Sequence, residues 1–258
     1  MDELQWLGAA GFWVSIHGHS VLIDPFIFSE EDSLPEEPRG VEDLERVEAI
    51  FLTHGHFDHS QDIPQILDLN QTALLYCSET MKRYFTKKGV SAHRIVAMRG
   101  GSRCIFDKFT VEAFPSRHIR FDLKLVVATL LRIQWDIFDI LPLVFYPCGE
   151  VLSYRFVSES MSFHHFGSAG STDEELDKLS RFPLDVLLLP LQGHTRILDL
   201  AFRYVEKLKP RCLIPQHHDD FFPPISQKVD IGPFIKQVHL KFPRIEVREL
   251  PVNGKTAF

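Results

Sequence analysis

Short apolar runs open the chain. Those at 4–7, 12–16 and 20–23 are of strand type and are separated by glycine-containing turns, which predicts hairpins. His17-Gly18-His19 fills the second turn. Its HxH spacing resembles a metal pair, but a glycine-centred hairpin tip accounts for it. The next series mixes two periods. Strands are predicted at 49–52, 73–76, 94–97 and 109–114, with helical patterns at 41–47, 62–69 and 79–88 and a turn at Gly100-Gly101. Residues 29–40, rich in proline and acidic side chains, read as a solvated loop. A second hairpin follows at 151–157 and 161–166. Ser171-Thr172-Asp173-Glu174 then has the form of a capping box for a helix reaching about residue 180. Further on come a buried-type strand at 185–190, a helix at 197–208 and a strand from 211. A helix at 233–240 has Pro233 in its first turn, and a strand at 245–250 closes the pattern. Hairpins followed by strand–helix alternation, given twice, predict a layered α/β sandwich.

Composition narrows the class without naming a chemistry. The 258 residues are 45% hydrophobic and 24% charged, enough apolar content for one large core. The net charge of -7 and the lack of a basic run argue against a nucleic-acid partner. Cys77, Cys104, Cys148 and Cys212 are far apart and form no CxxC pair, so they read as free thiols in a reducing compartment. The start Met1-Asp2-Glu3 is acidic and no apolar signal region follows, so the expected location is the cytoplasm.

The candidate chemistry lies in Thr53-His54-Gly55-His56-Phe57-Asp58-His59-Ser60, after the strand at 49–52 and before the helix at 62–69. Loops at the carboxyl ends of strands are where α/β folds place their chemistry. Three imidazoles and a carboxylate in six residues are poor core material, because each needs a partner when buried. A metal centre explains the spacing better than a histidine-rich surface loop.

His54-x-His56-x-Asp58-His59 resembles the signature of the metallo-β-lactamase superfamily of mostly dinuclear hydrolases. The segments Trp6-Leu7-Gly8-Ala9-Ala10-Gly11-Phe12 and Val21-Leu22-Ile23-Asp24-Pro25 are similar to one branch. That branch contains the ascorbate-6-phosphate lactonase-like enzymes and the phospholipase-D-type hydrolases of N-acyl-phosphatidylethanolamine. The resemblance implies an αββα four-layer sandwich, two mixed β-sheets packed between outer helices, with residues 1–258 as a single domain. It implies His118 as the third ligand beside His54 and His56, and a second set of Asp58, His59 and His217, with His218 as the neighbour if the register slips by one. Asp24 would support a ligand histidine from behind, with an ordinary surface turn residue as the other reading. The loop at Gln192 and His194 would reach the substrate, although an ordinary exposed histidine accounts equally well for His194. Relatives carry Gly-Asp, with the aspartate bridging both metals, where this chain has Gly167-Ser168. Neither His164 nor His165 is a ready replacement. Strand alternation puts His164 roughly 13 Å back along the strand on the face of Ser168 and turns His165 the other way.

The implied cofactor is one or two divalent transition metal ions, zinc first, with manganese or iron as alternatives. The implied activity is a metal-activated hydroxide, with Asp58 orienting the water or taking its proton, acting on an ester, lactone or phosphodiester of a lipophilic or anionic small molecule. The alternative is a degenerate metal-binding or interaction protein, because Ser168 removes a central carboxylate. Residues 121–147 form an apolar insertion interrupted by Lys124, Arg132, Asp136, Asp139 and Pro142, so no transmembrane span is expected. A lid over the metals, extra core and a homo-oligomer face remain open readings of that segment.

Overall fold

The computed structural model describes residues 2–28, 41–133 and 146–258. The loop expected at 29–40 and residues 134–145 of the apolar insertion lie outside them. Two seven-stranded sheets face each other. The first comprises β1 (Glu3–Gly8), β2 (Gly11–Ile16), β3 (His19–Ile23), β4 (Ala49–Phe51), β5 (Leu74–Ser78), β6 (Ile95–Met98) and β14 (Lys255–Ala257). Its order is β14-β1-β2-β3-β4-β5-β6. The second comprises β7 (Arg103–Ile105), β8 (Phe109–Pro115), β9 (Leu152–Ser158), β10 (Ser162–Phe166), β11 (Val186–Pro190), β12 (Cys212–Gln216) and β13 (Glu246–Val247), in the order β13-β12-β11-β10-β9-β8-β7. Each sheet is mixed: the hairpin strands pair antiparallel, and β3 to β6 and β10 to β13 pair parallel.

Strand alternation builds three apolar layers. Inward residues of both sheets, among them Phe12, Phe51, Tyr154, Phe156 and Phe163, interlock in the central core. The opposite face of the first sheet, through Leu22, Ile50 and Leu75, is covered by α3 (Ile63–Leu69) and α4 (Glu79–Lys87). The opposite face of the second sheet, through Leu187, Leu189 and Leu213, is covered by α6 (Asp173–Leu179), α7 (Ile197–Leu208) and α8 (Gly232–Lys241). The result is the expected αββα sandwich. The capping box at Thr172 is formed with Glu175, and the His17-Gly18 turn has positive φ at both residues, as a tight hairpin requires.

Several local expectations differ from the structure. A short helix, α2 (Phe57–Ser60), carries the second half of the histidine motif, where only a loop was expected. Asp62 precedes α3 without capping it. Its carboxylate instead accepts the amides of Ile27 and Phe28. The two edge strands β7 and β14 are three residues each, too short for their alternation to stand out. The helix expected at 41–47 ends early, as α1 (Val41–Leu44), and the final strand keeps only Glu246–Val247. Residues Leu123–Ile133 form a helix, α5, that the continuous apolar run did not distinguish from strand.

Candidate metal centre

Six strands, β3, β4, β8, β10, β11 and β12, end at one edge of the sandwich, and the loops leaving them carry every candidate site residue. Asp24 follows β3, the histidine motif follows β4, and His118 lies shortly after β8. Ser168 follows β10, Gln192 follows β11 and His217 follows β12. The two sheets are joined here. Tyr154 donates its hydroxyl proton to the Leu52 carbonyl at 2.9 Å, and the Leu152 amide donates to Thr53 O at 2.9 Å. The first histidine is therefore held at a seam between both layers.

Two groups of three potential donors result. His54, His56 and His118 offer one atom each within 4.8 Å of one another, and so do Asp58, His59 and His217. The His54 and His59 rings are 4.0 Å apart, so the two groups are adjacent. Three rings are anchored through Nδ1: His54 by Thr53 Oγ1 at 3.0 Å, His118 by the Ile119 carbonyl at 2.6 Å, and His59 by Asp24 Oδ2 at 2.9 Å. That anchoring leaves each Nε2 for the cluster. His54 Nε2 is buried with no hydrogen-bond partner, an orphan a cation would satisfy. In the second group, Asp58 Oδ2 lies 3.1 Å from His217 Nε2 and 3.5 Å from His59 Nε2.

Electrostatics suit these atoms to a cation. Burial and the neighbouring rings hold the pKa of His54 well below its ordinary value. Burial likewise lowers His56, against the pull of Asp58, and takes His118 down to about 4. These three rings are therefore neutral at neutral pH, the form that binds metal. Burial alone would raise Asp58 and Asp24. The surrounding imidazoles reverse it, and both carboxyls stay ionised far below the usual range. His59 moves up, because Asp58 and Asp24 outweigh its burial. The backbone is strained at two of these places: Asp24 and His217 both adopt positive φ (44° and 54°). Such strain persists where surrounding structure imposes it, often at functional sites.

Beside the two groups opens a cavity of about 470 Å³, lined by His56, Asp58, His59, His118, Ser168 and His217. Phe121 and the α5 residues Leu125, Val126, Thr129, Leu130 and Arg132 form one wall, and Gln192, His194 and Lys228 contribute polar groups. The Phe121 ring sits 5.3 Å from that of His118. The described part of the 121–147 insertion thus stands against the site. Ser168 is buried, and its hydroxyl accepts the Ile119 amide at 2.9 Å. Gln192 donates to the carbonyls of Asp219 and Gln227, while His194 Nδ1 accepts the Arg196 amide at 2.9 Å. His218 is not part of the cluster; it packs on Trp6 with ring centroids 4.8 Å apart.

Three contributors escaped the sequence reading. His165 is buried with its Nε2 3.3 Å from Asp24 Oδ2, and Thr53 donates both its amide and its hydroxyl to the same carboxylate, at 2.7 and 2.6 Å. Alternation turns His165 away from the face of His164, and on the side it points to lies Asp24, whose Oδ2 also holds the His59 ring. Gly167 is the third. A Cβ there would come 2.0 Å from Thr53 Oγ1 and 2.7 Å from Asp24 Oδ2, so only glycine lets this network close. A His-His pair two residues before a glycine at a strand end was the available signal.

Two mixed sheets between helices, with histidine-rich loops gathered at one edge, define the αββα sandwich class. Within that class the chain belongs to the metallo-β-lactamase superfamily, for the family model described as "Beta-lactamase superfamily domain" matches residues 3–217. It is 29% identical over 231 residues to a metal-dependent hydrolase of Pyrococcus horikoshii, with 88% of each chain covered. A metal-dependent hydrolase of Hyperthermus butylicus is 26% identical over 226 residues, covering 86% of this chain and 85% of the relative. Among solved structures, a metallo hydrolase of the hyperthermophilic archaeon Ignicoccus hospitalis aligns with a TM-score of 0.71 at 19% identity, over 100% of this chain and 99% of the other. That likeness shows a shared fold.

Proposed function

We propose that the chain is a metal-dependent hydrolase holding divalent metal through His54, His56 and His118 and, less tightly, through Asp58, His59 and His217. The observation that carries this reading is the convergence of anchored imidazoles, with the buried His54 Nε2 left unpartnered. Five imidazoles and one carboxylate suit zinc first, and manganese or iron after it. The bound metal supplies Lewis acidity and lowers the pKa of water, giving a nucleophile at neutral pH. The chain does the rest. Asp58, ionised and facing the cavity, orients the attacking water and receives its proton. Asp24, fixed by Thr53 and His165, holds the His59 ring at the angle its Nε2 needs.

The substrate class is an ester, lactone or phosphodiester with an apolar portion and a negative charge. The apolar wall of α5, Phe121 and Phe221 supports the first feature. Arg132 and Lys228 at the same cavity support the second, since among the described residues Asp58 is the only carboxylate lining it. Elemental analysis of purified protein, paired with turnover of umbelliferyl esters and bis(p-nitrophenyl) phosphate, tests the reading. Bound zinc is expected, with hydrolysis abolished by chelation and restored by metal, and His56→Ala is expected to lose metal and activity together. Full metal content in His56→Ala would remove the ligand assignment. Metal without turnover of any substrate would favour a binding protein, consistent with serine at position 168.

A further inference from the structure

α5 is apolar on the side that solvent sees as well as on the side that faces the cavity. Leu125, Thr129 and Arg132 look inward, whereas Leu123, Val127 and Leu131, spaced four apart on one stripe, do not line the cavity. Leu123 is 78% exposed and Leu131 71%. Among the described residues, the large apolar side chains that are exposed number ten, and six of them fall between Phe121 and Leu131. The others, such as Ile105 and Leu240, are scattered singly, as is ordinary for a surface. A helix apolar all round is stable only where something other than water meets it.

Charge indicates what that partner is. The chain is acidic overall, yet the exposed charges next to the stripe in sequence are basic: Arg120 and Lys124 make no ion pair among the described residues, and Arg132 and Lys228 line the adjoining cavity. Among the described residues from Phe121 to Ile133 the one acidic side chain, Asp122, is engaged by the Thr195 hydroxyl and lies 3.7 Å from His194 Nδ1. A second copy docking by twofold symmetry would present the same face, where the described carboxylate, Asp122, is already engaged, and so would bring no free acidic partner among the described residues. An anionic surface would meet both the apolar stripe and its basic flanks. The 11 described residues of α5 span roughly 16 Å, suited to lying along a bilayer interface, and among the described residues no helix is long and apolar enough to cross a membrane.

We propose that α5 and Phe121 form a docking surface for the face of an anionic lipid bilayer, with the cavity mouth opening at the bound surface. Leu123, Val127 and Leu131 enter the boundary between headgroups and acyl chains, and Arg120 and Lys124 reach the lipid phosphates. The full-length protein is tested by co-sedimentation with phosphatidylcholine vesicles prepared with and without phosphatidylserine. Binding is expected to the phosphatidylserine vesicles, weakened by salt and by Lys124→Glu. Leu123→Asp/Leu131→Asp is expected to lower the vesicle affinity at least about tenfold, with an unchanged circular dichroism melt, because both side chains already face water. Three results would overturn the proposal. One is no binding to phosphatidylserine vesicles, and another is binding unaffected by the double substitution. The third is a solution dimer that the same substitution dissociates, which would give this face to a second copy. None of these readouts needs turnover, so the outcome is independent of the hydrolase reading.

Discussion

The Asp24 carboxylate takes the Thr53 amide and hydroxyl while facing both His59 and His165. A group so fully engaged stays ionised in a dry site and aims a ring at the cluster. The sequence offered half of this, an Asp-Pro at a strand end, but not the partners, which come from three other elements. Ser168 is the reverse case. Its position in the chain is legible, and its consequence is a matter of charge: among the described residues one carboxylate, Asp58, belongs to the two groups of donors, where the resemblance implied two. On the proposed reading, two divalent ions side by side would be poorly compensated, and the second would bind more weakly. Ser168→Asp is expected to raise metal content towards two equivalents, with the weaker site gaining at least about tenfold in affinity. Competitive metal titration of the two proteins side by side is the check, and identical isotherms would show that residue 168 does not face both ions.

Among the elements, α2 and α5 teach most about prediction. Placing Asp58 and His59 on a helical turn directs both side chains to the second group of donors, whereas the extended His54-Gly55-His56 segment supplies the first. Sequence spacing could suggest the motif but not that division, because a four-residue helix has no periodicity to read. For α5 the apolar run was plain while its partner was not, since an apolar stretch packs equally well into core, dimer or cavity wall. In the structure Leu125 lines the cavity from the first turn of the helix. With about 0.8 kcal/mol for each buried methylene, a charge at that wall penalises long acyl chains most. Leu125→Asp is accordingly expected to raise KM for an octanoate ester at least about tenfold and for the acetate ester less than about threefold. Steady-state kinetics on the pair decides this, and an equal effect on both esters would place α5 outside the acyl-binding wall.

The whole molecule converts this crowd of buried imidazoles into a dependence on pH. In the metal-free protein the pKa values of His54, His56 and His118 lie below the ordinary 6.5, and those of the buried His164, His165 and His218 do too. The unfolded chain therefore binds more protons than the folded one once pH drops through 6.5, and stability falls progressively from there, with His118 and His218 titrating at about 4. His59, shifted up, works in the opposite sense, but it is one ring against six. Thermal melts of chelated protein should show a lower Tm at about pH 5 than at about pH 7.5, and added zinc should raise Tm more at the higher pH, where ligands need not shed protons. A flat Tm over that range would contradict the burial of these rings. The sequence alone determined the layered α/β class, most strands and helices, and the residues of the histidine motif, since these follow from periodicity and local spacing. It also marked His118, His217 and Ser168 through resemblance to a family. Tertiary structure decided which strand ends meet at one edge, that His165 reaches Asp24, that Gly167 must lack a side chain, and that α5 walls the cavity. Those depend on contacts between residues far apart in the chain, 141 positions between Asp24 and His165 and 159 between Asp58 and His217, and no local pattern encodes which distant atoms become neighbours.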